Sequence, residues 1–97
     1  MSFDNVKASH ILVESEEQCM DLKSMIEKGE ISFTEAAKQF SKCPSGSKGG
    51  DLGFFGRGQM VKPFEDTCFS EETKVGDVVA PVQTQFGYHL IQLVDRV

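Results

Sequence analysis

Two histidines, His10 and His89, and one cysteine, Cys43, are the side chains in this sequence best suited to chemistry near neutral pH. Imidazole changes charge near pH 6.5, and a thiol can serve as nucleophile, ligand or weak hydrogen-bond donor. Taken by residue type alone, the three admit several readings. A Cys43/His pair could attack an ester or amide, although no recognised nucleophile signature surrounds Cys43. His10, His89 and Cys43 could together ligate a metal. The histidines could also simply brace a sheet, the ordinary role of a histidine on an apolar strand face. The odd number and wide spacing of Cys19, Cys43 and Cys68 fit neither a disulfide framework nor a metal knuckle, so reduced thiols in a cytosol are the simplest expectation. Cys19 and Cys68 read as helix packing.

The elements that must position these residues follow from periodicity. Alternation over Asn5 to Val13 predicts a strand with Val6, Ala8, His10 and Leu12 on one face. Ser15 with Gln18, and Ser32 with Glu35, have capping-box spacing, and each precedes an apolar stripe. Those stripes are Cys19, Leu22, Met25 and Ile26 in a first helix ending at Lys28 and Gly29, then Phe33, Ala36, Ala37 and Phe40 in a second. Pro44 ends the second helix and pushes Cys43 out of helical angles. Glycine then recurs to Gly58, with Asp51 to Phe55 as the one short strand in that stretch. Pro63 suits the first turn of a third helix reaching Phe69. Val78 to Val82, with Pro81 at an edge, and Tyr88 to Val94, with His89, Ile91 and Leu93 on one face, complete a small antiparallel sheet. The expected class is α+β.

Composition narrows the function. The chain has 97 residues, which is one domain's length, and 39% of them are apolar. Fifteen acids against ten bases give a net charge of −5, which argues against general affinity for nucleic acid or anionic membrane. No apolar run approaches the ~18–20 residues needed to cross a bilayer, and the first residues do not read as a secretory signal. Gly49-Gly50 lacks the lysine and long helix of a phosphate loop.

Three blocks carry a resemblance. Ala8-Ser9-His10-Ile11-Leu12-Val13 is the first; Gly49-Gly50-Asp51-Leu52-Gly53 with Gly58-Gln59-Met60 and Pro63-Phe64 is the second; Phe86-Gly87-Tyr88-His89 is the third. In order and spacing they strongly resemble the parvulin family of peptidyl-prolyl cis/trans isomerases, over nearly the whole chain from Lys7 to Val94. The resemblance implies a single domain over residues 1–97. Its fold would be parvulin-like (FKBP-like), a small, mostly antiparallel four-stranded sheet surrounded by about four short helices. It also implies an apolar cup for proline from Leu52, Met60 and Phe64, extended by Phe54 and Phe86, with Gln59 among the substrate contacts. His10 and His89 would lie side by side beneath the rotating bond, with Thr84 hydrogen-bonded to one of them and Cys43 facing the substrate carbonyl. No metal or other cofactor is implied.

The expected partners are proline-containing unfolded or nascent polypeptides, met by a cytoplasmic monomer. Family members that require a phosphate before proline carry basic residues after the first strand; here that loop reads Glu14-Ser15-Glu16-Glu17-Gln18. Acids there repel a phosphate of about −1.5 to −2 charges, so unphosphorylated X–Pro is the expected substrate. A non-catalytic chaperone or adaptor that binds proline-containing peptides in the same cup is the alternative. On either reading the cup faces solvent, so truncating Met60 or Phe64 is expected to leave the domain folded.

Overall fold

The central strands are β1 (Asn5–Val13) and β4 (Gly87–Arg96), which pair along most of their lengths. The computed structural model describes residues 4–97. Strand β2 (Asp51–Gly56) flanks β1, and β3 (Val78–Thr84) flanks β4, giving the order β2-β1-β4-β3 with every neighbouring pair antiparallel. Pro81, which cannot donate to a ladder, sits on outer strand β3 where the register slips between Val79 and Val82.

Helix α1 (Glu16–Glu27) begins where the Ser15 hydroxyl accepts the Gln18 N–H at 3.1 Å, and α2 (Phe33–Phe40) where Ser32 accepts the Glu35 N–H at 3.0 Å. Both caps are legible in the sequence. Helix α3 (Lys62–Phe69) carries Pro63 in its first turn. The expected count of about four helices is corrected to three α-helices among the described residues; the fourth piece is a 3-10 turn, Pro44–Lys48. Pro44 and the glycines around it permit a tight turn there but no longer helix.

Strand alternation sends side chains to two separate cores. Ile11, Val13 and Leu90 pack against α1 and α2 through Cys19, Leu22, Phe33 and Ala36. Val6, Ala8, Ile91 and Leu93 pack on the opposite face with Phe55, Phe64, Cys68 and Phe69. Phe40, expected on the α2 stripe, is instead exposed at the last position of the helix. Cys19 and Cys68 are buried, free thiols on opposite faces of the sheet. Burial pushes their pKa values up to about 11 and about 12, so neither is a nucleophile at neutral pH.

Candidate active site

His10 and His89 come together because they lie on the paired central strands: Leu12 opposes His89 and His10 opposes Ile91, so the two imidazoles are diagonal neighbours on one face. Their rings are nearly parallel, 18° apart in plane with centroids at 5.1 Å, and Nδ1 meets Nδ1 at 3.0 Å. Two protonated nitrogens cannot share that contact, so one ring donates and the other accepts. Burial holds His10 down to about 4, helped by the neighbouring His89, and burial lowers His89 as well. At neutral pH the pair is uncharged.

The outer nitrogens extend this contact into a chain. His89 Nε2 lies 2.8 Å from Thr84 Oγ1, which also accepts the Phe86 N–H, and His10 Nε2 lies 3.2 Å from Ser45 Oγ. Ser45 in turn donates its hydroxyl hydrogen to Cys43 Sγ at 3.3 Å. Taken in that direction, the chain is chemically complete. With its hydrogen on sulfur, Ser45 accepts from His10 Nε2–H; His10 Nδ1 is then bare and accepts from His89 Nδ1–H; His89 Nε2 accepts from the Thr84 hydroxyl. Every polar atom of two buried rings is satisfied, as low dielectric requires.

Above the rings lies an open, mostly apolar cleft of about 500 Å3, lined by His10, His89, Cys43, Leu52, Gln59, Met60, Phe64 and Phe86. Leu52 and Met60 are half-buried walls. Phe86, 61% exposed, stands at the rim. Thr84 is not a lining residue; it acts on His89 from the strand beside it.

Two expectations need correction. Phe64 is not an open wall: at 3% exposure it is the cleft floor and a core residue at once. Its ring meets His10 and His89 edge-on at 5.5 Å each, and Phe55 at 6.0 Å. Truncating it therefore opens the core as well as the cup. Phe54 does not line the cleft; it is 51% exposed, with the Lys7 ammonium 5.9 Å from its ring centroid. Simple alternation would put Phe54 on the side of Leu52. Between them, however, Gly53 has φ of +70°, with its N–H on Asp51 Oδ1, and three β2 residues span what two β1 residues span. This bulge reverses the parity and sends Phe55 inward.

Lys42, Pro44, Val61 and Leu12 also line the cleft and escaped the sequence reading, as did Ser45 beneath it. The Lys42 ammonium lies 3.7 Å from the Glu14 carboxylate. Among the described residues no cluster of His, Cys, Asp and Glu could hold a metal ion.

An antiparallel α+β domain with a neutral histidine pair under an apolar cleft defines a class of protein, and comparison with known proteins places the chain within it. Residues 6–95 match the model of the rotamase family, described as the PPIC-type PPIase domain, and the chain belongs to that family. It is 47% identical over 92 residues to the foldase protein PrsA of Geobacillus kaustophilus, covering 94% of this chain and 32% of that protein. The crystal structure of the peptidylprolyl isomerase PrsA from Bacillus anthracis superposes with a TM-score of 0.91 at 41% identity, over 98% of this chain and 43% of that one. The solution structure of the parvulin of Nitrosopumilus maritimus gives 0.83 at 38% identity, over 95% of this chain and 97% of that one. The chain thus spans about a third of the curated foldases it resembles and nearly all of a small parvulin.

Proposed function

We propose that this chain accelerates cis/trans rotation of X–Pro peptide bonds in unfolded or extended protein segments. The observation that carries the reading is the neutral histidine pair, with Phe64, flooring an apolar cleft in a member of the PPIC-type family. Rotation about the peptide C–N bond faces a barrier of ~18–20 kcal/mol because twisting destroys amide resonance. No bond need form or break. The twisted amide has less charge separation than the planar one, so moving it from water into an apolar cleft favours the twisted state. Each ~1.4 kcal/mol of such preference gives tenfold. Leu52, Met60 and Phe64 grip the pyrrolidine ring, while the hydrogen-bonded histidines fix Cys43 and the cleft floor without placing a charge beneath the amide. A protonated pair would do the opposite, since an ion there draws water and stabilises the polar planar form.

The preference for unphosphorylated substrates rests on charge. Glu14, Glu16 and Glu17 follow β1, and Lys42, the one cationic side chain lining the cleft among the described residues, already faces Glu14, so a phosphate must compete for it. Action as a monomer in a cytoplasmic setting is part of the same reading; three free thiols, two of them buried on opposite faces, fit a reducing setting. The names of the foldase relatives fit clients that are incompletely folded chains. The test is exchange NMR on a short Leu-Pro peptide: faster cis/trans exchange at substoichiometric protein is the expected result. Saturable binding without faster exchange would leave only a peptide-binding module.

A further inference from the structure

The loop from Arg57 to Val61 joins β2 to α3 and brings Gln59, Met60 and Val61 to the cleft. No strand or helix fixes it, and Arg57, Gly58 and Gln59 are exposed. A cup wall carried on such a loop must be ordered before it can grip, because ordering left until binding is subtracted from affinity. We propose that Glu65, the residue after Phe64 on α3, is a positioning residue that holds the Met60 wall in place by tying this loop to the helix. The inference rests on the isomerase reading of the cleft but concerns a side chain that does not line it.

Glu65 Oε1 accepts the Gly58 N–H at 2.5 Å, across seven residues of chain. The Glu65 N–H is donated to the Val61 carbonyl at 3.0 Å, so the main chain anchors Glu65 to the end of the loop while its carboxylate reaches the middle. A bond from a backbone N–H to a carboxylate is charge-assisted and stronger than a neutral one. Two other contacts stiffen the start of the loop. The Arg57 guanidinium stands 4.3 Å from the centroid of the Phe69 ring, and Gln59 Oε1 accepts the Gly56 N–H at 2.9 Å. Glu65 alone among these joins the middle of the loop to the helix that carries Phe64, and so fixes the Met60 wall relative to the Phe64 floor. The neighbouring acid, Asp66, is spent on Lys62 at 3.2 Å and serves as a control.

The first test uses the ligand-free chain, so it stands whether or not the protein proves to be an isomerase. Amide hydrogen exchange at Gly58, followed by NMR, should speed up about 3- to 10-fold in Glu65→Ala, and the Met60 methyl signal should shift. Glu65→Gln, which keeps an acceptor oxygen, and Asp66→Asn should both stay within about twofold of the wild type. Unchanged exchange at Gly58 in Glu65→Ala overturns the proposal. So does an equal increase throughout the sheet, which would mark a merely structural role. The second test is affinity for the Leu-Pro peptide by NMR titration. Glu65→Ala should weaken it about 3- to 10-fold, with kcat in the exchange assay within about twofold of the wild type. In a Met60→Ala background the same substitution should change affinity by less than about twofold, because the wall it positions is gone; equal losses in the two backgrounds overturn the assignment. A peptide that binds but is not isomerised would sink the functional reading while leaving this comparison intact.

Discussion

Acidification should unfold this protein through His10. The folded imidazole titrates at about 4, against an ordinary value near 6.5 in the unfolded chain. Between those values the unfolded state binds a proton that the folded state refuses, so stability falls as pH falls; above about pH 6.5 the penalty is absent. Going from pH 6.5 to pH 4.5, this group alone removes about 2 kcal/mol. For a domain of this length that is a large part of a total of about 5–15 kcal/mol, and it lowers Tm by about 8–16 °C. His89, also lowered by burial, adds in the same direction. Carboxylates titrate in the same range, so the informative quantity is a difference between two proteins. Urea unfolding followed by circular dichroism at pH 6.5, 5.5 and 4.5 should show His10→Gln losing about 2 kcal/mol less than the wild type over that span. Parallel curves for the two proteins, or an NMR titration of His10 centred near 6.5, would refute the claim that the pair is held neutral by burial.

Phe64→Ala should lose about 3–5 kcal/mol of stability in denaturant unfolding, since the ring fills core and cleft together, and an unfolding midpoint like that of the wild type would remove Phe64 from the core. Met60→Ala, by contrast, should stay folded and lose about tenfold in kcat/KM, the worth of about 1.4 kcal/mol of apolar contact with the proline ring. Matched peptides carrying Leu or phosphoserine before proline should differ in kcat/KM by a few-fold in favour of Leu, because the acids that follow β1 repel the phosphate; a faster phosphoserine peptide would sink the charge argument. Gly50 has φ of +84°, and an added Cβ would stand 2.2 Å from the His10 carbonyl oxygen. Gly50→Ala should therefore cost about 3 kcal/mol or more in urea unfolding, whereas a loss under about 1 kcal/mol would mean that β1 can move aside.

The legible parts of the fold were those written in local chemistry. Ser15 and Ser32 mark two helix starts, Pro63 a third, and the alternation of His89, Ile91 and Leu93 gives a face of β4 directly. The histidine pair was legible only through the resemblance, because residues 79 apart in sequence meet through strand pairing, which periodicity does not specify. Phe54 was misplaced because a bulge at Gly53 inverts the side-chain parity of β2, and a glycine in a strand was the available signal. Phe64 was read as open wall because residue type does not separate a cleft floor from a core. Ser45 and Lys42 passed unseen for a related reason. Serines and lysines are common on surfaces, and only the turn after Pro44 brings these two beneath and beside the cleft.

The edge-on contact of Phe64 with both imidazoles limits how this domain can diverge. A deeper cup for a bulkier ring would have to be carved from the same side chain that plugs the interior, so new client preferences are cheapest at the periphery. Phe86, Gln59 and Lys42, all exposed, can be exchanged without disturbing either layer of packing. Variation among relatives should accumulate at that border while the aromatic plug is retained.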